Sequence, residues 1–155
     1  MVEDGPHATV PDAETCYGCH RHVKKDSAAL EVLRDACKDG KPDGKPIEWV
    51  KVHLLPQYAY FNHAVHTRAN IGCASCHGRV DEMEIVRQVE PLSMGWCLEC
   101  HRDPTPHIRP ADVSPTNMTW AADAASIAAA KQLLEARDGQ LPALNPPTYC
   151  SACHR

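Results

Sequence analysis

Four copies of one five-residue pattern, Cys-x-x-Cys-His, constrain this chain more than any other feature. They are Cys16-Tyr17-Gly18-Cys19-His20, Cys73-Ala74-Ser75-Cys76-His77, Cys97-Leu98-Glu99-Cys100-His101 and Cys150-Ser151-Ala152-Cys153-His154. The pattern is the attachment signature of c-type haem. One helical turn sets both thiols along the same porphyrin edge, where each forms a thioether with a vinyl group. The next residue then turns its imidazole to the iron from the proximal side. Zinc knuckles also use Cys-x-x-Cys, but they need no histidine directly after the second cysteine. The chain has ten histidines in 155 residues. Chance therefore puts one at that position about once in fifteen, and four times out of four roughly once in fifty thousand. A disulfide framework fares worse, because cysteines three apart bridge only with strain. Cys37 belongs to no motif and reads as a half-buried thiol acting as a small apolar side chain.

Each iron needs a ligand on its other face or keeps an open position. Six histidines lie outside the motifs: His7, His22, His53, His63, His66 and His107. Asn62 is placed to cap a short helix that carries His63 and His66 on one face at i, i+3, so the pair can serve two neighbouring haems. His53 ends Trp49-Val50-Lys51-Val52-His53, an alternating stretch that reads as extended, and is a third candidate sixth ligand. His22 is too close to His20 in sequence to reach the opposite face of the same iron. It, His107 in a proline-rich loop and His7 read as surface residues. Of Met83, Met94 and Met118, Met94 is the best placed to ligate, with packing as its ordinary role. Three distal histidines for four irons leave one sixth ligand open.

A single Phe and 5% aromatic residues give little material for an apolar core, and thirteen prolines and eight glycines interrupt the chain. Covalent cofactors would supply the buried contact that such a chain lacks. The expected fold is therefore mostly α and irregular, a small multihaem cytochrome c with haems forming its core. Residues 1–46 form a first haem segment, 47–110 a central two-haem segment, and 111–155 a C-terminal helix with the last haem. A helix is predicted from Ser27 to Lys38, with Leu30, Leu33 and Cys37 on its apolar side and Gly40 ending it. Residues 39–46 read as a turn-rich linker, and 103–117, with four prolines, as irregular. An alanine-rich helix is predicted from Trp120 to Arg137, stopped by Gly139. Residues 140–148 then extend to the last motif.

The formal charge of −4 gives no footing for nucleic-acid binding. Arg21, Lys24 and Lys25 read as solvated surface. No run of 18 apolar residues suggests a membrane span, and no charged n-region with an apolar h-region follows Met1.

The strings WVKVHLLPQYAYFNHAVH, GCASCHGRVDEMEIV and PLSMGWCLECHRDPTPHIRP resemble the pentahaem cytochrome subunit of alternative complex III, a membrane-bound quinol oxidase. HATVPDAETCYGCH and LNPPTYCSACHR extend the resemblance over nearly the whole chain. More distantly, Phe-x-His-x-x-His ahead of a haem motif is similar to the class III cytochromes c. The resemblance implies four haem c groups held by Cys16, Cys19, Cys73, Cys76, Cys97, Cys100, Cys150 and Cys153, with His20, His77, His101 and His154 as proximal ligands. It implies His63 as distal ligand of the haem at Cys73 and Cys76, with His66 and His53 serving two others. The family subunit has five motifs and an N-terminal anchoring part, whereas this chain begins immediately before what resembles the second motif. It is thus expected to be an N-terminally shortened product, with a fifth haem if the native chain is longer, or a variant that has lost one.

These readings imply an electron-transfer subunit rather than an enzyme in its own right. Its place is the periplasmic side of the bacterial inner membrane, peripheral or anchored through a missing N-terminal segment. Its partners are iron–sulfur and quinol-oxidising membrane subunits, with a cytochrome c or terminal oxidase as acceptor. Two rivals stand beside this: a soluble periplasmic tetrahaem shuttle, and a multihaem reductase with one open haem.

Overall fold

The computed structural model describes residues 4–37, 46–136 and 146–154. Among them every regular element is helical, and β pairing is limited to two isolated antiparallel bridges, Ala59 to His154 and Ile71 to Ile108. The fold is mostly helical and irregular, as a small multihaem cytochrome should be. No helix among the described residues is long and apolar enough to cross a membrane. The chain divides into two compact units, Thr9–Lys51 and the remainder, Met1–Ala8 with Val52–Arg155.

In the smaller unit, α1 (Ala13–His20) starts at Asp12, whose carboxylate accepts from the Thr15 amide at 2.9 Å. A hydrogen-bonded side chain at this position satisfies an amide that the helix itself leaves open. The helix predicted over 27–38 is broken in two: a 3-10 turn at Ala28–Leu30 and α2 at Glu31–Ala36. Arg34 explains the break. Its Nη1 donates to the carbonyls of Lys25 and Ser27, both at 2.8 Å, and the Ser27 carbonyl also accepts from Leu30 at i+3. Leu33, Ala36 and Cys37 are buried beneath this turn. Lys38, Gly40 and the linker as far as residue 45 lie outside the described residues.

In the larger unit, α3 (His63–Arg68) is capped by Asn62, whose side-chain oxygen accepts from the Val65 amide at 3.3 Å. The second and third motifs lie on α4 (Ala74–His77) and α5 (Met94–Arg102), and the last lies on α7 (Cys150–Cys153). The long alanine-rich helix, α6, runs from Ala124 to Ala136. It starts later than the composition suggests because Asp123 caps it: its carboxylate accepts from the Ser126 amide at 2.7 Å, while Ser126 Oγ accepts from the Asp123 amide at 2.9 Å. Arg137, Gly139 and residues up to 145 lie outside the described residues. Ala130 is buried where α6 packs on the 3-10 turn Thr105–His107. The loop after that turn is held by Arg109, which donates to the carbonyls of Pro110 and Val113. It backs the second motif, since Cys73 N donates to Pro115 O at 3.0 Å.

Large apolar side chains are scarce inside and plentiful outside. Among the described residues of the larger unit the buried apolar set is Ala64, Ile108 and Ala130, while Tyr58, Tyr60, Met94 and Tyr149 are exposed. A unit of this size that buries so little apolar surface is short of core.

Candidate haem centres

All four motifs lie on a turn of helix. At the second and fourth motifs the histidine amide donates to the first cysteine's carbonyl, at 3.0 Å from His77 to Cys73 and 2.9 Å from His154 to Cys150. The nine thiols are all free. Burial is the main force that pushes the Cys76 thiol up to about 11, with Cys100 and Cys97 next as nearby thiols; Cys97 and Cys100 are also raised, chiefly by burial. A zinc site needs thiolates gathered around one point. Among the described residues no three His, Cys, Asp or Glu side chains gather so.

The histidines show a common arrangement. Nδ1 lies near a backbone carbonyl in five of them: His20 to Val23 at 3.1 Å, His63 to Pro6 at 3.1 Å, His66 to Asn62 at 2.8 Å, His101 to Pro147 at 2.8 Å and His154 to Tyr58 at 3.2 Å. A carbonyl can only accept, so Nδ1 carries the proton and Nε2 keeps the lone pair. That is the tautomer a metal-ligating histidine uses, with its second nitrogen fixed by a hydrogen bond. Burial lowers the pKa of His66 and of His77, so both rings stay neutral and able to ligate.

Distances between rings then test whether iron fits. Two imidazoles sharing one metal ion, with metal–nitrogen bonds of about 2.0 Å and about 1.1 Å from nitrogen to ring centre, set their centroids roughly 6.2 Å apart. His63 and His77 stand 6.5 Å apart with ring planes 8° from parallel. His66 and His101 stand 6.1 Å apart at 40°. Both pairs have the width of an iron with two imidazole ligands, and in each pair one member follows a Cys-x-x-Cys. Helix α3 thus carries one imidazole at about this separation from each of two motif histidines. A cavity of about 510 Å³, lined by Cys97, Cys100, His101, Cys150, Cys153 and His154, opens beside the second pair. Its volume is in the range of cofactor sites. Its donor set and its apolar walls fit haem.

The other candidates are placed as follows. Cys16, Cys19 and His20 lie on α1 in the smaller unit. His53 does not stand at metal width from a motif histidine: its ring lies edge-on to His77 at 4.4 Å, with its Nε2 3.3 Å from His77 Nδ1. Met94 and His107 both line the 510 Å³ cavity, while His7 and His22 are exposed. Cys37 is 1% exposed, and burial raises its thiol pKa.

Sequence reasoning missed two kinds of participant. The carbonyls of Pro6, Asn62, Tyr58 and Pro147 that orient the imidazoles have no side-chain signature. Phe61 does have one, as the only phenylalanine and the residue before the Asn62 cap. Its ring touches both members of the α3 pair, 4.8 Å from His63 and 4.4 Å from His66.

No protein-family profile matches the chain. It is similar to the multihaem cytochrome c subunit of menaquinone reductase from Nitratidesulfovibrio vulgaris strain Hildenborough, with 25% identity over 160 residues. That match takes in the whole of this chain and 66% of the relative's length.

Proposed function

We propose that this chain is an electron-transfer subunit with four covalently attached c-type haems, working in a quinone-reacting membrane complex on the periplasmic side of the inner membrane. At its coarsest the reading is a multihaem cytochrome c, supported by the four motifs and by the similarity to a subunit of that name. The observation that carries it further is the two imidazole pairs of metal width, His63 with His77 and His66 with His101.

Bound haem supplies reversible one-electron chemistry at its iron, at a potential set by the axial ligands and their surroundings. The chain's own residues do the rest. The cysteines of each Cys-x-x-Cys turn would hold a porphyrin, and His20, His77, His101 and His154 would ligate its iron. His63 and His66 would each add an imidazole at one of the two central haems and so leave no site for a substrate there. Two imidazoles would also hold the potential lower than a histidine–methionine pair does. Because His63 and His66 are one turn apart on α3, a single capped helix fixes the spacing between two centres. Phe61 packs against both rings.

The resemblance to a quinol-oxidising assembly and the similarity to a menaquinone reductase subunit share quinone chemistry, and they support quinone-reacting membrane subunits as partners. An iron–sulfur subunit and a cytochrome c or terminal oxidase complete the proposed path. The test is the native protein purified from membranes. Its intact mass and pyridine haemochrome should give at least four covalent haems, with low-spin spectra for the two central ones and co-purifying quinone-reacting subunits. Bound zinc in place of haem would overturn the cofactor assignment. A haem-loaded chain recovered alone from the soluble periplasm would overturn the assignment to a complex.

A further inference from the structure

His77 is the exception among the motif histidines. The other three turn Nδ1 to a backbone carbonyl, at Val23, Pro147 and Tyr58. Nδ1 of His77 instead faces another imidazole, Nε2 of His53, at 3.3 Å, with the two rings edge-on at 76°. His63 also stands near His77, at 6.5 Å and nearly parallel. Of the two ring separations from His77, the one to His63 has the width of a metal with two ligands. The 3.3 Å between His77 Nδ1 and His53 Nε2 is within hydrogen-bonding reach, and the 4.4 Å between the ring centres is too short for a shared iron.

We propose that His53 is a positioning residue for the haem at Cys73 and Cys76: it accepts the Nδ1 proton of His77 in a hydrogen bond and is not itself an iron ligand. This rests on the reading of His77 as a proximal ligand. With Nε2 of His77 given to a metal, its Nδ1 carries the proton, so Nε2 of His53 must be the acceptor and the His53 proton sits on Nδ1. An imidazole nitrogen is a more basic acceptor than a backbone carbonyl. It draws the shared proton further from His77 and makes that ring the stronger electron donor, which favours ferric iron. The haem of the second motif is thereby set to a lower potential than a carbonyl partner would give. The sequence hides this role, because His53 lies 24 residues before His77 in an irregular segment.

The test uses the full haem-loaded protein with His53→Leu and His53→Gln. Peptide mass spectrometry first establishes haem on Cys73 and Cys76 in the unaltered protein; its absence would sink the haem reading itself rather than the hydrogen bond. With haem present, His53→Leu should leave the number of low-spin haems unchanged in the electron paramagnetic resonance spectrum and raise one haem's potential. His53→Gln, which keeps an acceptor, should return that potential most of the way. A haem that turns high-spin in His53→Leu would make His53 an iron ligand and overturn the proposal, as would potentials that do not move. Where His53→Leu fails to fold, the unaltered protein still decides. With all haems reduced and diamagnetic, a ¹⁵N–¹⁵N coupling across the hydrogen bond should join His77 Nδ1 to His53 Nε2, and its absence overturns the assignment.

Discussion

The two units solve the same chemical problem by different means. In the smaller one, His20 is held by Val23, three residues on along the same turn. In the larger one, each motif histidine is oriented by a residue far off in sequence: His77 by His53, His101 by Pro147 and His154 by Tyr58, across 24, 46 and 96 residues. The imidazole pairs of metal width also lie in the larger unit among the described residues. A motif by itself specifies covalent attachment and one candidate ligand. The partner that orients that ligand's ring, in the larger unit, comes from chain far off in sequence.

The sharpest way to break that comparison is to remove the α3 histidines one at a time. On the proposed ligation, each substitution removes one iron ligand. His63→Ala and His66→Ala should each convert one low-spin haem to high spin and open it to carbon monoxide, with the two variants affecting different haems. His22→Ala, beside the first motif, should change neither spin state nor carbon monoxide binding. If His63→Ala and His66→Ala altered the same haem, the assignment of one α3 histidine to each of two motifs would be wrong.

Next in size is the packing around the second motif. Gly78 follows His77 directly with φ +65° and ψ −157°, a conformation essentially reserved for glycine. A Cβ there would come within 2.8 Å of Val89 Cγ2. Gly78→Ala should lose about 1–3 kcal/mol through the backbone and more through the contact with Val89, measured by thermal unfolding with circular dichroism. Adding Val89→Ala should recover the contact part and leave the backbone part. Full recovery in the double variant would show that the backbone conformation costs nothing. Gly18, inside the first motif, has no atom within 4 Å of the equivalent position, so Gly18→Ala should be tolerated.

These contrasts also show how much could be read from the residues alone. The motifs, the Asn62 cap and the i, i+3 pair follow local rules, and the structure places each on the expected element. The break at Leu30 and the late start of α6 at Ala124 were not legible, because Arg34 and Asp123 compete for backbone groups that composition leaves uncommitted. The partner of His77 was hidden for a different reason. Any carbonyl or imidazole that the fold delivers can accept from Nδ1, and spacing along the chain says nothing about which one arrives. The scarcity of core was legible in the single phenylalanine. It recurs as exposed Tyr58, Tyr60, Met94 and Tyr149 lining the cavity beside the third and fourth motifs.

The smallest effects separate the two helix caps. Asn62 is uncharged, and Asn62→Ala should cost about 1 kcal/mol at any pH while loosening the geometry of both α3 histidines. Its counterpart, Asp12, is a carboxylate. Its hydrogen bonds to the side chain and amide of Thr15, at 2.7 and 2.9 Å, hold its pKa below the ordinary 3.8. The folded pKa is the depressed one, so the cap's contribution is fully present above about pH 4 and disappears as pH falls through the folded value, when the unfolded chain already holds the proton. The amide of Thr15 should therefore shift in nuclear magnetic resonance with a midpoint below 3.8, while that of Val65, capped by Asn62, should stay unmoved over the same range. Asp12→Asn keeps a capping oxygen and should abolish the Thr15 titration without unfolding α1. A Thr15 amide that still titrated in Asp12→Asn would transfer the effect to another acid, with Glu14 in the same turn as the first to examine.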